Sequence, residues 1–155
     1  MIKKILAIAE SELGYTEGAN NLNKFAPIVH HRNNQPWCAT FISAIFKLAG
    51  CEKAILNSAS VLEIANWGKK KGLEIPVKKA KTGDLIILDF TKDKKGDHIE
   101  IATSDFNSRS KFIKTIGGNT GDINQSNGDG VYRKIRWVEN ICLVIRPDWG
   151  ACEAK

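Results

Sequence analysis

Apolar positions follow two different rhythms along the chain. Up to about residue 70 they recur three and four apart, and beyond Gly83 they alternate with polar residues or run together in short stretches. Ile2, Ile5, Leu6, Ile8, Ala9 and Leu13 keep the helical spacing and Gly14 follows as a stop, which predicts a helix to about Leu13. Residues 15–37 are polar and rich in turn formers, including Asn20, Asn21, Asn23, Asn33 and Asn34, with room for a short helix within Asn21 to Val29. From Cys38 onward Phe41, Ile42, Ile45, Phe46 and Ala49 form one apolar face that Gly50 ends, the clearest helix in the chain. Ser60-Val61-Leu62-Glu63 has the form of a capping box and opens a third helix through Ile64, Ala65 and Trp67 toward Gly68 and Gly72.

Strands are predicted over 84–90, 98–103, 111–116, 130–136 and 141–146, parted by clusters of Gly, Asp, Asn and Lys. Helices first and strands afterwards argue for an α+β fold with a largely antiparallel sheet, since a parallel α/β fold would alternate them. The connection GNTGDINQSNGDG, from Gly118 to Gly130, reads as a mobile, turn-rich loop.

At 155 residues with 43% hydrophobic content, the chain fits one domain and can build a core, which excludes a disordered or collagen-like polymer. No apolar run approaches the roughly 20 residues needed to span a bilayer, so a soluble protein without stable membrane insertion is expected. Met1 to Ala9 imitates the start of an export signal, but Glu10 and Glu12 interrupt it, and no targeting signal is read. The formal charge of +6 favours anionic partners without choosing among nucleic acid, anionic membrane and bacterial wall. No basic helix or aromatic-basic motif supports nucleic-acid binding. Cysteines at 38, 51, 142 and 152 lack CxxC spacing and clustered histidines, so no zinc ribbon is expected. Reduced thiols are expected, with Cys51, Cys142 and Cys152 as small buried or terminal residues.

Three residues suggest chemistry. Cys38 opens the apolar helix, where free backbone N–H groups and the positive end of the helix dipole favour a thiolate nucleophile. In Asp97-His98-Ile99-Glu100-Ile101, alternation gives the isoleucines to the core and turns His98 and Glu100 to the other face, toward a cleft or solvent. Asn119, at a strand end, offers an amide oxygen that could orient a histidine ring. Each has an ordinary alternative: a small residue at a helix start, a satisfied strand histidine, a turn asparagine.

Taken together, PWCATFISAIFKLAG, EIANWGKKKG, TGDLIILDF, GDHIEIAT, TIGGNTGD and GVYRKIR resemble the cysteine- and histidine-dependent amidohydrolase/peptidase (CHAP) family of phage lysins and wall hydrolases. The resemblance runs over most of residues 5 to 147. It implies a papain-like CHAP fold over residues 1–147 with a tail at 148–155, and hydrolysis of an amide bond in bacterial peptidoglycan. On this chain it makes Cys38 the nucleophile, His98 the general base and acid, and Asn119 the third polar position. Trp37 and Trp67 are read as groove walls, with buried structural tryptophan as the equal alternative. Gln35 is read as an oxyanion donor, and Glu100, which shares a strand face with His98 and could substitute for the family's glutamate, is read as a contact to substrate or solvent in preference to a group that orients the ring.

Two departures from the family stand out. Many members carry Glu two residues before the asparagine, where this chain has Gly117. Some bind calcium through an acidic loop upstream of the cysteine, but Lys24 to Trp37 contains no Asp or Glu. No metal and no cofactor are therefore expected, and His30-His31 reads as a solvated loop. A monomer held in the host cytoplasm until release to the wall is the implied setting. The muramoyl–L-alanine bond is the first candidate for cleavage, a D-alanyl cross-bridge the second, and a silent wall-binding domain the alternative.

Overall fold

The amphipathic start of the chain folds as α1 (Ile2–Ser11), burying Ile5 and Ala9, in the computed structural model, which describes residues 1–121 and 127–153. The helix stops short of Leu13 because Gly14, at φ +90°, turns away to give its N–H to the Val131 carbonyl. Asparagine side chains organise the polar stretch that follows. Asn33 Oδ1 accepts from the Asn23 and Asn34 amides, and Asn23 Oδ1 accepts from those of Phe25 and Ala26 at the start of the short α2 (Ala26–Val29).

The central helix, α3 (Cys38–Leu48), is buried at every residue from Cys38 to Phe46, because α1, α2 and the sheet close around it. Its end is set by Gly50 at φ +75°: the Gly50 N–H returns to Lys47 O and the Cys51 N–H to Phe46 O, satisfying two orphan carbonyls. α4 (Val61–Lys70) has the predicted cap in a modified form. Ser60 Oγ accepts from the Glu63 N–H, while the Glu63 carboxylate accepts the Ser58 hydroxyl, whose oxygen in turn takes the Ser60 N–H. Gly68 lets α4 approach the sheet closely, since any side chain there would overlap Ile145.

Six strands make one antiparallel sheet in the order β1-β6-β2-β3-β4-β5: β1 (Glu74–Ile75), β2 (Leu85–Leu88), β3 (His98–Ala102), β4 (Phe112–Thr120), β5 (Gly130–Trp137) and β6 (Ile141–Ile145). The fold is α+β. β1 was beyond the reach of patterning, because two residues carry no period. β4 continues to Thr120, four residues past the predicted end, and residues 122–126 of the predicted loop lie outside the described residues. Leu85, Ile87, Ile99, Ile101 and Ile116 pack beneath the helices, and Ile86, Leu88, Ala102, Ile113 and Val144 form a smaller cluster on the opposite face.

The expectation of reduced thiols fails for one pair: Cys51 is disulfide-bonded to Cys152. The Schellman turn after α3 presents Cys51, and α5 (Trp149–Glu153) docks against it with Trp149 stacked on Phe46 and the Asp148 N–H on Ala54 O. Spacing along the chain could not reveal a pair separated by 101 residues. Cys38 and Cys142 are free, the first buried and the second exposed.

Candidate active site

Cys38 is the first residue of α3 and keeps only 4% of its surface exposed. A residue at that position sits among backbone N–H groups that have no partner inside the helix. The preceding N–H, that of Trp37, is taken by Asn119 Oδ1 at 2.9 Å, which ties the helix start to the end of β4.

His98, the first residue of β3, is completely buried, as is Glu100 two residues on. Both lie on the face opposite Ile99 and Ile101, as alternation predicts, but that face is closed here and both side chains are buried from solvent. The imidazole Nε2 pairs with Glu100 Oε2 at 2.9 Å. Nδ1 is the one buried side-chain nitrogen or oxygen among the described residues without such a partner. Burial alone would lower the His98 pKa. The charge of Cys38, with a further contribution from the hydrogen bond and charge of Glu100, outweighs it and raises the value to about 9.

Glu100 is the centre of a larger network. Arg136 on β5 grips its carboxylate through two bonds, Nε to Oε1 and Nη2 to Oε2, each 2.7 Å, and the Thr115 hydroxyl donates to Oε1 at 2.7 Å. Arg136 also donates to Thr120 Oγ1. Burial pushes the carboxyl pKa up, but the hydrogen bonds and charges of Arg136 and His98 prevail and hold it far below the usual carboxylate range. Glu100 therefore orients the histidine, a correction to its reading as a contact for substrate or solvent.

Asn119 does not reach the imidazole. Its φ of +52° turns it out of the strand's regular alternation, and its amide nitrogen donates to Gly128 O at 2.7 Å and Asn127 Oδ1 at 3.0 Å. It braces the start of α3 and the return toward β5. Trp37 is fully buried, stacked on Phe25, with Nε1 bonded to Glu17 Oε1, so it lies in the packing beneath Cys38 and not on a groove wall. Trp67 is half-buried against the main core, and Gln35 is half-buried two residues before Trp37 with no side-chain hydrogen bond among the described residues.

Other polar groups stabilise the surroundings. His31 is not merely solvated: Nδ1 meets the Thr40 hydroxyl at 2.9 Å and Nε2 meets Asn57 Oδ1 at 2.5 Å, pinning the exit of α2 to α3. Asp89, Asp93 and Asp97, a cluster the sequence reading did not single out, each bring one oxygen within 4.8 Å of the others. Oxygens of Asp89 and Asp97 accept the amides of Phe90, Thr91, Lys92 and Lys94, shaping the loop that delivers His98. A basic depression of about 490 Å³ over β4 and β5 is lined by Lys114, Arg133 and Lys134, and none of Cys38, His98 and Asn119 lines it.

A thiol at a helix start and an imidazole bonded to a buried carboxylate on the neighbouring strand β3 are groups suited to nucleophilic acyl transfer. Compared with known proteins, the chain matches no family model, no curated protein and no solved structure.

Proposed function

We propose that the protein is a cysteine amidohydrolase/peptidase of the CHAP kind, papain-like in arrangement, acting on an amide bond of bacterial peptidoglycan. One observation carries the reading: the His98 Nε2 is held at 2.9 Å by the buried Glu100 carboxylate, and the first residue of the buried helix α3, Cys38, is the chief influence that raises the pKa of this ring. The Cys38 thiolate attacks the amide carbonyl and forms a C–S bond. Protonated His98 gives its proton to the leaving nitrogen as the C–N bond breaks, releasing an amine and leaving a thioester. Water then attacks the thioester, its proton passes to His98, and cleavage of the C–S bond frees the acid and restores the thiolate. A His98 pKa of about 9 suits the first step, because the ring is protonated at neutral pH.

The muramoyl–L-alanine amide is the proposed target, with a D-alanyl cross-bridge as the second choice. The +6 charge assists encounter with an anionic wall. The Cys51–Cys152 bond fits work outside the reducing cytosol, the setting of a hydrolase released from the host cytoplasm. The alternative of a silent wall-binding domain rests on Gly117 standing where many family members have Glu, and Glu100 beside His98 removes that reason.

Purified peptidoglycan incubated with the native protein and with Cys38→Ala, followed by mass spectrometry of the released fragments, tests the proposal. Fragments from the native protein alone are expected, and a new L-alanine amine would identify the amidase. Absence of fragments across several wall chemotypes would overturn hydrolysis in favour of binding.

A further inference from the structure

Gly117 and Glu100 face one another across two strands. The β3–β4 ladder pairs Ala102 with Thr115 and Ile101 with Ile116, and counting on by one residue puts Gly117 opposite Glu100. Cross-strand partners of this kind point to the same face, with Cβ atoms about 5 Å apart. A Cβ built on Gly117 would come within 2.5 Å of Glu100 Cγ and 2.8 Å of its Cδ, and closer still to Oε2. Real Cβ atoms do not approach so closely, so the Glu100 carboxylate fills the volume that any side chain at 117 would need. Only a bare backbone at 117 lets this carboxylate lie across β4 and meet Arg136 on β5, two strands away.

We propose that the volume beside Nε2 of His98 is a single carboxylate site that can be furnished from either of two facing positions, 100 on β3 or 117 on β4, and that this chain furnishes it from 100. Glycine at 117 is then the counterpart of glutamate at 100, not a missing catalytic group. Arg136 and Thr115 serve as positioning residues: they act on His98 through Glu100 and touch no reacting atom. This inference rests on the reading of Cys38 and His98 as a reacting pair.

The test compares Glu100→Gln, Glu100→Gly, Gly117→Glu and the exchange variant Glu100→Gly/Gly117→Glu. The readout is the rate of Cys38 alkylation by iodoacetamide as a function of pH, followed by peptide mass spectrometry so that exposed Cys142 is scored separately, together with thermal melts and fragment release from peptidoglycan. His98→Ala is run alongside. Loss of the carboxylate charge in Glu100→Gln is expected to move the alkaline edge of the alkylation profile down by about one pH unit or more, because the imidazolium loses an adjacent anion. Glu100→Gly is expected to release fragments about tenfold or more slowly. Gly117→Glu alone crowds two carboxylates into one site and lowers the melting temperature, whereas the exchange variant recovers both the native profile and most of the fragment release.

A folded exchange variant no better than Glu100→Gly would overturn the shared site. Should that variant not fold, Glu100→Gln decides alone: a folded protein with the native profile overturns the assignment of Glu100. If His98→Ala also leaves the profile unchanged, the Cys38–His98 pair itself is wrong, and the two failures are thereby told apart.

Discussion

The two faces of the central sheet are built on opposite principles. Beneath the helices, Leu85, Ile87, Ile99, Ile101 and Ile116 make an apolar layer without a titratable group. On the other side, beside a smaller apolar cluster, the sheet carries His98 and Glu100 on β3, Thr115 on β4 and Arg136 on β5, all at most 1% exposed. The first face lowers the free energy of folding by removing apolar surface from water. The second places three ionisable groups in a low-dielectric interior, where desolvation offsets most of what their attraction returns. A buried network of this kind is weak evidence for stability and better evidence for a task, and here its inner end is an imidazole beside a cysteine.

The largest effect on this contrast is expected from Arg136→Leu, which leaves the Glu100 carboxylate buried and half-paired. A loss of about 3–5 kcal/mol is expected in urea unfolding. Glu100→Met/Arg136→Leu should regain most of that stability, since a well-packed apolar pair is often neutral, yet should release peptidoglycan fragments about tenfold or more slowly. If the double variant stayed as unstable as the single one, the polar face would be a source of stability after all.

The helix-side layer is closed at its outer margin by the disulfide. Cys51→Ala/Cys152→Ala is expected to cost about 2–4 kcal/mol, read as a lower urea midpoint with fragment release unchanged at temperatures well below the melt. A matching loss of activity in the folded variant would show that α5 supports the site as well as the core.

pH separates the faces without mutation. Glu100 has its folded pKa depressed, so its contribution to stability is in full above the ordinary carboxyl value of about 4.5 and is lost as pH falls below it. His98 has its pKa raised from 6.5 to about 9, so its contribution is in full below about 6.5 and is lost as pH rises through about 9. Native stability should therefore decline at both ends, and fragment release should fall above about pH 9 as the imidazolium is lost. A Glu100→Met/Arg136→Leu protein should show a weaker acid limb in the same unfolding series.

The smallest effect belongs to the apolar layer. Ile101→Val removes one methylene beneath α3 and is expected to cost about 1 kcal/mol, with the alkylation profile of Cys38 untouched. A shift in that profile would mean that the two faces are mechanically coupled through β3.

The order of helices and strands was legible in the chain, because hydrophobic periodicity and glycine stops are local properties. The start of α3 at Cys38 and the turn at Gly50 follow from such signals, and so does the assignment of His98 and Glu100 to one face. What that face met was not legible. A period of two says that Glu100 points away from Ile101, but only the strand order β3-β4-β5 brings Arg136 over it and converts an apparently exposed carboxylate into a buried one. Asn119 looked suited to the histidine by residue type, and its positive φ sends it elsewhere. The Cys51–Cys152 bond joins residues whose neighbourhood is created by the docking of α5. The sequence by itself determined the elements, their faces and the candidate cysteine and histidine, since these depend on residues a few positions apart. Tertiary structure alone decided which carboxylate holds the histidine, why position 117 carries no side chain and which thiols are joined, because each depends on contacts between strands or helices distant in the chain.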